Sequence, residues 1–162
     1  MILHVYIDAA YLVLPKDLSR IAGNFHLSNH SPPTTTPKPK LKSPILPVFQ
    51  TLKYLVESAA EAETGGLLLN GQTMVPIRNN LITIDHPQPE NIDLLKSDIK
   101  TGVGIFQYFM KTKHSKSWNM KYHWIEDRTK IGHLNPYWKW GIHNWADYFT
   151  KHHSPAHHKI MR

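Results

Sequence analysis

Apolar and polar residues alternate strictly at the start of the chain, with Ile2, His4, Tyr6 and Asp8 at one parity and Leu3, Val5 and Ile7 at the other. This two-residue period predicts a β-strand over residues 1–8. Asp8 closes it, and in isolation such an acid reads first as a turn residue. Ala9 to Pro15 makes the reversal, and Ile21 to Ser28 reads as an antiparallel return, with Gly23 as its weak point. Residues 31–44 hold five prolines and three lysines. No ladder survives so many missing donors, so an extended, mobile hairpin loop is expected there. Strand character resumes from Ile45 to Thr51, and a short strand pattern follows at Tyr54-Leu55-Val56.

At Ser58 the period changes. Ser58 and Glu61 have capping-box spacing, with Ser58 as N-cap and Glu61 reaching back to the Ser58 amide. Leu67, Met74, Ile77, Leu81 and Ile84 then recur at helical spacing, one buried face of a helix ending near Ile84. Gly65, Gly66 and Gly71 each cost that helix ~1 kcal/mol relative to Ala. Pro76 costs more and should kink it, so only packing against a sheet can keep it. His86-Pro87-Gln88-Pro89 stops it. Ile92 to Lys96 is a short strand, followed by Ser97-Asp98 and a helix from about Lys100 to Met110. An amphipathic helix within 111–130 ends at Gly132, a strand covers Tyr137 to Trp140, and Asn144 caps a last short helix. Reaching the fourth strand through a long helix suggests a right-handed crossover that lays it parallel to the first.

Composition narrows the partners. The chain has 162 residues, 41% of them hydrophobic, enough for one domain with a real core. No apolar run reaches membrane-spanning length, and the strand pattern directly after Met1 leaves no signal peptide. The lack of cysteine excludes disulfides and thiolate metal sites and fits an intracellular protein, cytoplasmic or nuclear. A net charge of +7 favours a polyanion, nucleic acid first. Residues 111–130 are basic and aromatic, and Lys111, Lys113, Lys116, Lys121 and Arg128 are the candidate phosphate contacts. A solvated helix face is the alternative reading. The tail 152–162 is rich in histidine, with metal-like spacing but no thiolates to fix a site.

Four acids fall at element ends: Asp8 after the first strand, Glu63 at the start of the first helix, Asp98 after the fourth strand and Asp147 at the start of the last helix. Glu63 points roughly opposite to the capping Glu61, at ~100° per residue. If strands one and four are parallel neighbours, Asp8 and Asp98 leave the sheet at the same edge. Four carboxylates converging there repel one another and rise in pKa unless a cation binds. Hard oxygen ligands favour Mg²⁺ or Mn²⁺, and two such ions clamp the attacking water and leaving oxygen of a phosphodiester displacement.

Tyr6-Ile7-Asp8-Ala9, Ser58-Ala59-Ala60-Glu61-Ala62-Glu63, Ser97-Asp98, His114-Ser115-Lys116 with Met120-Lys121-Tyr122-His123-Trp124-Ile125, and Ala146-Asp147-Tyr148-Phe149-Thr150-Lys151 follow one another across nearly the whole chain. In these motifs it resembles the RNase H domain at the C-terminal end of copia-type retrotransposon Pol polyproteins. The resemblance implies an RNase H-like α/β fold over residues 1–151. Its sheet would be mixed and five-stranded, three antiparallel strands followed by parallel ones, flanked by helices. It also implies a metal-dependent endoribonuclease that hydrolyses the RNA strand of RNA–DNA hybrids. Asp8, Glu63, Asp98 and Asp147 would be catalytic and hold two Mg²⁺ ions, with Mn²⁺ able to substitute. A reverse transcriptase domain, absent from this chain, is the implied neighbour; no membrane is. Ile7 and Ile99 stand where such domains carry polar residues. Those two positions favour the alternative, a catalytically silent nucleic-acid-binding or structural module of retroelement origin.

Overall fold

The structure, a computed structural model, describes residues 1–28, 44–89, 93–97, 116–138 and 144–160. The opening alternation forms strand β1, Ile2–Leu14, which continues past Asp8 rather than ending there. The reversal is shorter than expected, a 3₁₀ turn at Pro15–Asp17, and the register slips between Ala10 and Leu14, where Leu12 takes a positive φ of 52°. Strand β2, Leu18–Ser28, returns antiparallel to β1, and β3, Pro44–Thr51, runs antiparallel to β2. Tyr54-Leu55-Val56 is not a strand: the chain bends there, with Leu52 and Val56 buried and Leu55 exposed.

Helix α1, Ala59–Thr83, is capped by Ser58, whose hydroxyl accepts the Glu61 amide at 3.2 Å. Glu61 takes the Glu57 amide at 2.7 Å, one residue earlier than the expected Ser58 amide. The helix runs without a break through Pro76 and ends at Ile84. Leu67, Met74 and Leu81 are buried as expected, but Ile84 is 62% exposed. From Ala62 to Leu67 every residue is buried, so the first turns are covered on more than one side. Two glycines permit that closeness. A β-carbon on Gly65 would lie 2.7 Å from the Tyr54 hydroxyl, and one on Gly23 would lie 1.8 Å from Asn70 Oδ1. Asn70 fills the room on β2 that Gly23 leaves, donating to the Ala22 and Gly66 carbonyls at 3.2 and 2.9 Å.

Strand β4, Asp93–Ser97, lies parallel to β1, with Val5 beside Leu95 and Tyr6 beside Lys96. Helix α2, Lys116–Lys130, leads through Gly132, at a φ of 74°, to strand β5, Asn135–Trp138, parallel to β4. The result is a mixed five-stranded sheet in the order β3-β2-β1-β4-β5. Short helices α3, Asp147–Thr150, and α4, Pro155–Ile160, close the chain. Leu3, Val5, Ile7 and Phe25 from the sheet meet Leu67, Met74 and Leu81 of α1 and Ile125 of α2 in the main core. Among the described residues no helix is long and apolar enough to cross a membrane. The expected helix at 100–110, Asp98, Ile99, Lys111, Lys113 and most of the proline-rich loop lie outside the described residues.

Candidate active site

The β4 pairing reaches Tyr6, and past it side chains from two other elements grip the β1 backbone on either side of Asp8. Asn144 Nδ2 donates to the Ile7 carbonyl at 2.7 Å, and the Ala9 amide donates to Glu63 Oε1 at 3.1 Å. The Asp8 carboxylate itself accepts the Thr150 hydroxyl through Oδ2. Asp8 is 2% and Glu63 1% exposed. Buried carboxylates need such donors, because an unpaired charge out of water costs several kcal/mol. Glu63 can reach the strand because it follows the capping residues by one turn, while Glu61 stays at the cap. The two acids therefore divide as the sequence suggested.

Asp147 opens α3, and its carboxylate pairs with Lys151 one turn on. The segment before it is tied down by Asn144, whose Oδ1 accepts the Ala146 amide at 3.2 Å while its amide group holds Ile7. Asn144 is thus a bridge between β1 and the α3 segment, rather than the side-chain cap expected of it. The sequence offered Asn144 only as a cap and Thr150, 5% exposed, only as part of a motif; their contacts to β1 were not foreseen. Their signal was present: Thr150 stands one turn after Asp147 in the quoted Ala-Asp-Tyr-Phe-Thr-Lys motif.

Tyr6 lies at the same parity of β1 as Asp8, and burial pushes its phenol up to about 12. Its ring meets His26 edge-on at 5.7 Å, and His26 meets Trp145 edge-on at 5.8 Å. Beyond Asp147, Tyr148 stacks on His153 at 5.4 Å and bonds His158 Nδ1 at 2.7 Å, which fastens the histidine-rich tail against α3.

Asp8 and Glu63 are brought to one stretch of β1. Asp98 lies outside the described residues, and Asp147 is joined to the same strand through Asn144 and Thr150. The donor set is all hard oxygen and suits Mg²⁺ or Mn²⁺ in kind. Among the described residues, no three His, Cys, Asp or Glu side chains group closely enough to hold a metal ion. Of the basic candidates, Lys116 opens α2, Lys121 sits 3.3 Å from the centre of the Tyr54 ring, and Arg128 turns towards Trp124 and His133.

No family model matches the sequence, and no curated protein matches it. Solved structures do. The chain is similar to the N-terminal RNase H domain of Rv2228c from Mycobacterium tuberculosis, solved as a maltose-binding-protein fusion, at 14% identity and a TM-score of 0.58. That match covers 92% of this chain and 90% of the other. It is also similar to LC11-RNase H1, isolated from compost by a metagenomic approach, at 13% identity and a TM-score of 0.60, over 91% of each chain. The fold is that of RNase H. At these identities the likeness establishes the architecture and leaves the chemistry to be argued from the site. The RNase H fold accounts for the order of elements: β1 runs centrally through the sheet, and α1 delivers Glu63 to it.

Proposed function

We propose that this chain is a ribonuclease H-type endonuclease that hydrolyses the RNA strand of RNA–DNA hybrids, of the kind found in copia-type retrotransposon Pol polyproteins. The observation that carries the reading is the joint anchoring of Asp8 and Glu63 on β1 within an RNase H fold. The parallel register supports adding Asp98, since Asp8 and Asp98 each follow a paired residue, Tyr6 and Lys96, by two. Asp147 completes the set. The sequence motifs, and they alone, support the copia-type descent. A reverse transcriptase domain is the proposed neighbour, and an intracellular location follows from the substrate.

These four carboxylates would hold Mg²⁺, two ions, with Mn²⁺ as a substitute. The cations would supply charge to activate water and to stabilise the leaving oxygen. The chain's own contribution is positioning. Thr150 aims Asp8, the Ala9 amide aims Glu63, and Asn144 keeps the α3 segment against β1. Lys151 neutralises Asp147 and must swing aside when that carboxylate takes a ligand. Lys111, Lys113, Lys116, Lys121 and Arg128 are the proposed contacts to the hybrid backbone.

The Asp147–Lys151 pair also favours a second reading, a silent module that binds hybrids without cleaving them. Single substitutions separate the two. Asp8→Asn, Glu63→Gln, Asp98→Asn and Asp147→Asn should each reduce hybrid cleavage at least a hundredfold while circular dichroism stays native. Wild-type activity in Asp98→Asn would end the four-acid proposal. Salt-sensitive hybrid binding with no cleavage in the wild-type chain would support the silent module.

A further inference from the structure

We propose that Arg20 and Phe49 form a subsite for the RNA strand beside Asp8, which rests on the reading of the carboxylates given above. Arg20 takes the phosphodiester next to the one cleaved, and Phe49 packs on a neighbouring ribose. Asp8 faces Ala22 across β1 and β2, and Ala22 faces Phe49 across β2 and β3. Directly opposed residues project from one face of a sheet, roughly 5 Å apart at each step. Contacts from α3 mark that face at both ends of the row. Thr150 reaches Asp8, and Phe149, the residue before it, stacks on Phe49 with ring centres 6.2 Å apart and planes within 10° of parallel. Phe49 stays 66% exposed, so that stack leaves most of its ring open.

Arg20 occupies the next row of the same face, opposite Ala10 and Thr51. That register makes it the diagonal neighbour of both Asp8 and Phe49, roughly 7–8 Å from each. Arg20 is half-buried, and among the described residues its guanidinium has no hydrogen bond or ion pair. A guanidinium stays charged, and shedding water without a counter-charge is costly. A phosphodiester supplies the charge, with oxygens that match the guanidinium fork. The net charge of +7 draws the same polyanion to the chain. Phe49 adds selectivity. A-form helices, the geometry of RNA–DNA hybrids, open their riboses along a wide, shallow minor groove. The minor groove of B-DNA is only about 6 Å wide, too narrow to admit two stacked rings. Neither residue belongs to the basic helix already proposed to hold the backbone.

Fluorescence anisotropy of a labelled RNA–DNA hybrid, and of the matching DNA duplex, follows binding by the full chain in EDTA over a series of salt concentrations. Steady-state cleavage with Mg²⁺ then separates KM from kcat. Arg20→Gln should weaken hybrid binding about tenfold and flatten the logarithmic salt slope by about one unit. It should raise KM and leave kcat nearly unchanged, as loss of a ground-state contact does. Arg20→Lys, which keeps the charge, should restore the slope. Phe49→Ala, at an exposed position, should lower the preference for hybrid over duplex by about threefold. Because EDTA binding bypasses the carboxylates, these binding changes in a chain that cleaves nothing would support the subsite and remove the cleavage reading. An unchanged salt slope and KM in a folded Arg20→Gln would overturn the subsite and leave the cleavage reading standing. A shifted Mg²⁺ requirement with unaltered hybrid binding would assign Arg20 to balancing the charge of Asp8 and overturn it as well.

Discussion

Replacing Asn144 with Ala removes the bridge between β1 and the segment carrying Asp147. Two side-chain hydrogen bonds go, to the Ile7 carbonyl at 2.7 Å and from the Ala146 amide at 3.2 Å, each worth about 0.5–1.5 kcal/mol net. Ile7 and Ala146 are fully buried, so water does not readily replace the lost partner. A buried carbonyl left unpaired adds a penalty of about 1–3 kcal/mol. Allowing for overlap between these effects, Asn144→Ala should cost about 2–4 kcal/mol, a large share of a stability of roughly 5–15 kcal/mol. Asn144→Asp sharpens the test. It keeps an oxygen for the Ala146 amide but turns a carboxylate oxygen on the Ile7 carbonyl, close to Asp8, and should be at least as damaging as Ala. Urea unfolding at neutral pH measures both, and amide exchange at residues 146–150 shows whether the segment detaches before the sheet melts. Variants that melt within about 0.5 kcal/mol of wild type, with unchanged exchange, would refute the bridge.

Gly23→Ala puts a β-carbon 1.8 Å from Asn70 Oδ1 and should cost about 2–4 kcal/mol by overpacking and lost hydrogen bonds. Adding Asn70→Ala should recover part of that loss, with a coupling of about 1 kcal/mol or more in a denaturation cycle, whereas strict additivity would contradict the clash. Glu61→Gln keeps an oxygen for the Glu57 amide and should leave stability and hybrid cleavage nearly unchanged, while Glu63→Gln abolishes cleavage; the opposite result would reverse their roles. Because Tyr6 is raised from 10 to about 12, the unfolded chain loses its phenolic proton first as pH rises. The stabilisation is therefore complete below pH 10 and fades towards pH 12, by about 2–3 kcal/mol, and Tyr6→Phe should remove that part of the alkaline slope.

Local signals in the chain carried far. The two-residue period of β1 and the Ser58 cap were legible because each depends on residues a few positions apart. The parallel placement of β4 followed from the long helical connection that leads to it rather than from any single residue. Helical periodicity failed where burial is not apolar. It marked Ile84, which is exposed, and passed over Arg78, whose guanidinium is drawn inward by the Pro89 carbonyl. It also missed the burial of Glu63, which meets β1 at the Ala9 amide, and of Gly65, which the Leu52–Val56 segment covers from a side that no period encodes. Tyr54-Leu55-Val56 is composed like a strand but pairs with no strand among the described residues, and pairing rather than propensity decides that state. In the site, the acids were candidates because the sequence puts them at expected element ends, although β1 runs on past Asp8. What aims them could not be named, since Thr150 reaches Asp8 across 142 residues and Asn144 reaches Ile7 across 137.

The central claim is that Asp8, Glu63, Asp98 and Asp147 make this fold a hybrid-specific ribonuclease. The direct measurement is incubation of the purified chain with an RNA–DNA hybrid labelled on the RNA strand, beside the matching DNA duplex, with Mg²⁺, Mn²⁺ or EDTA. The account predicts internal cleavage of the RNA strand with either metal, none with EDTA, none of the DNA duplex, and none by Asp8→Asn. Cleavage that survives both EDTA and Asp8→Asn, or an intact RNA strand under every metal condition, would contradict it.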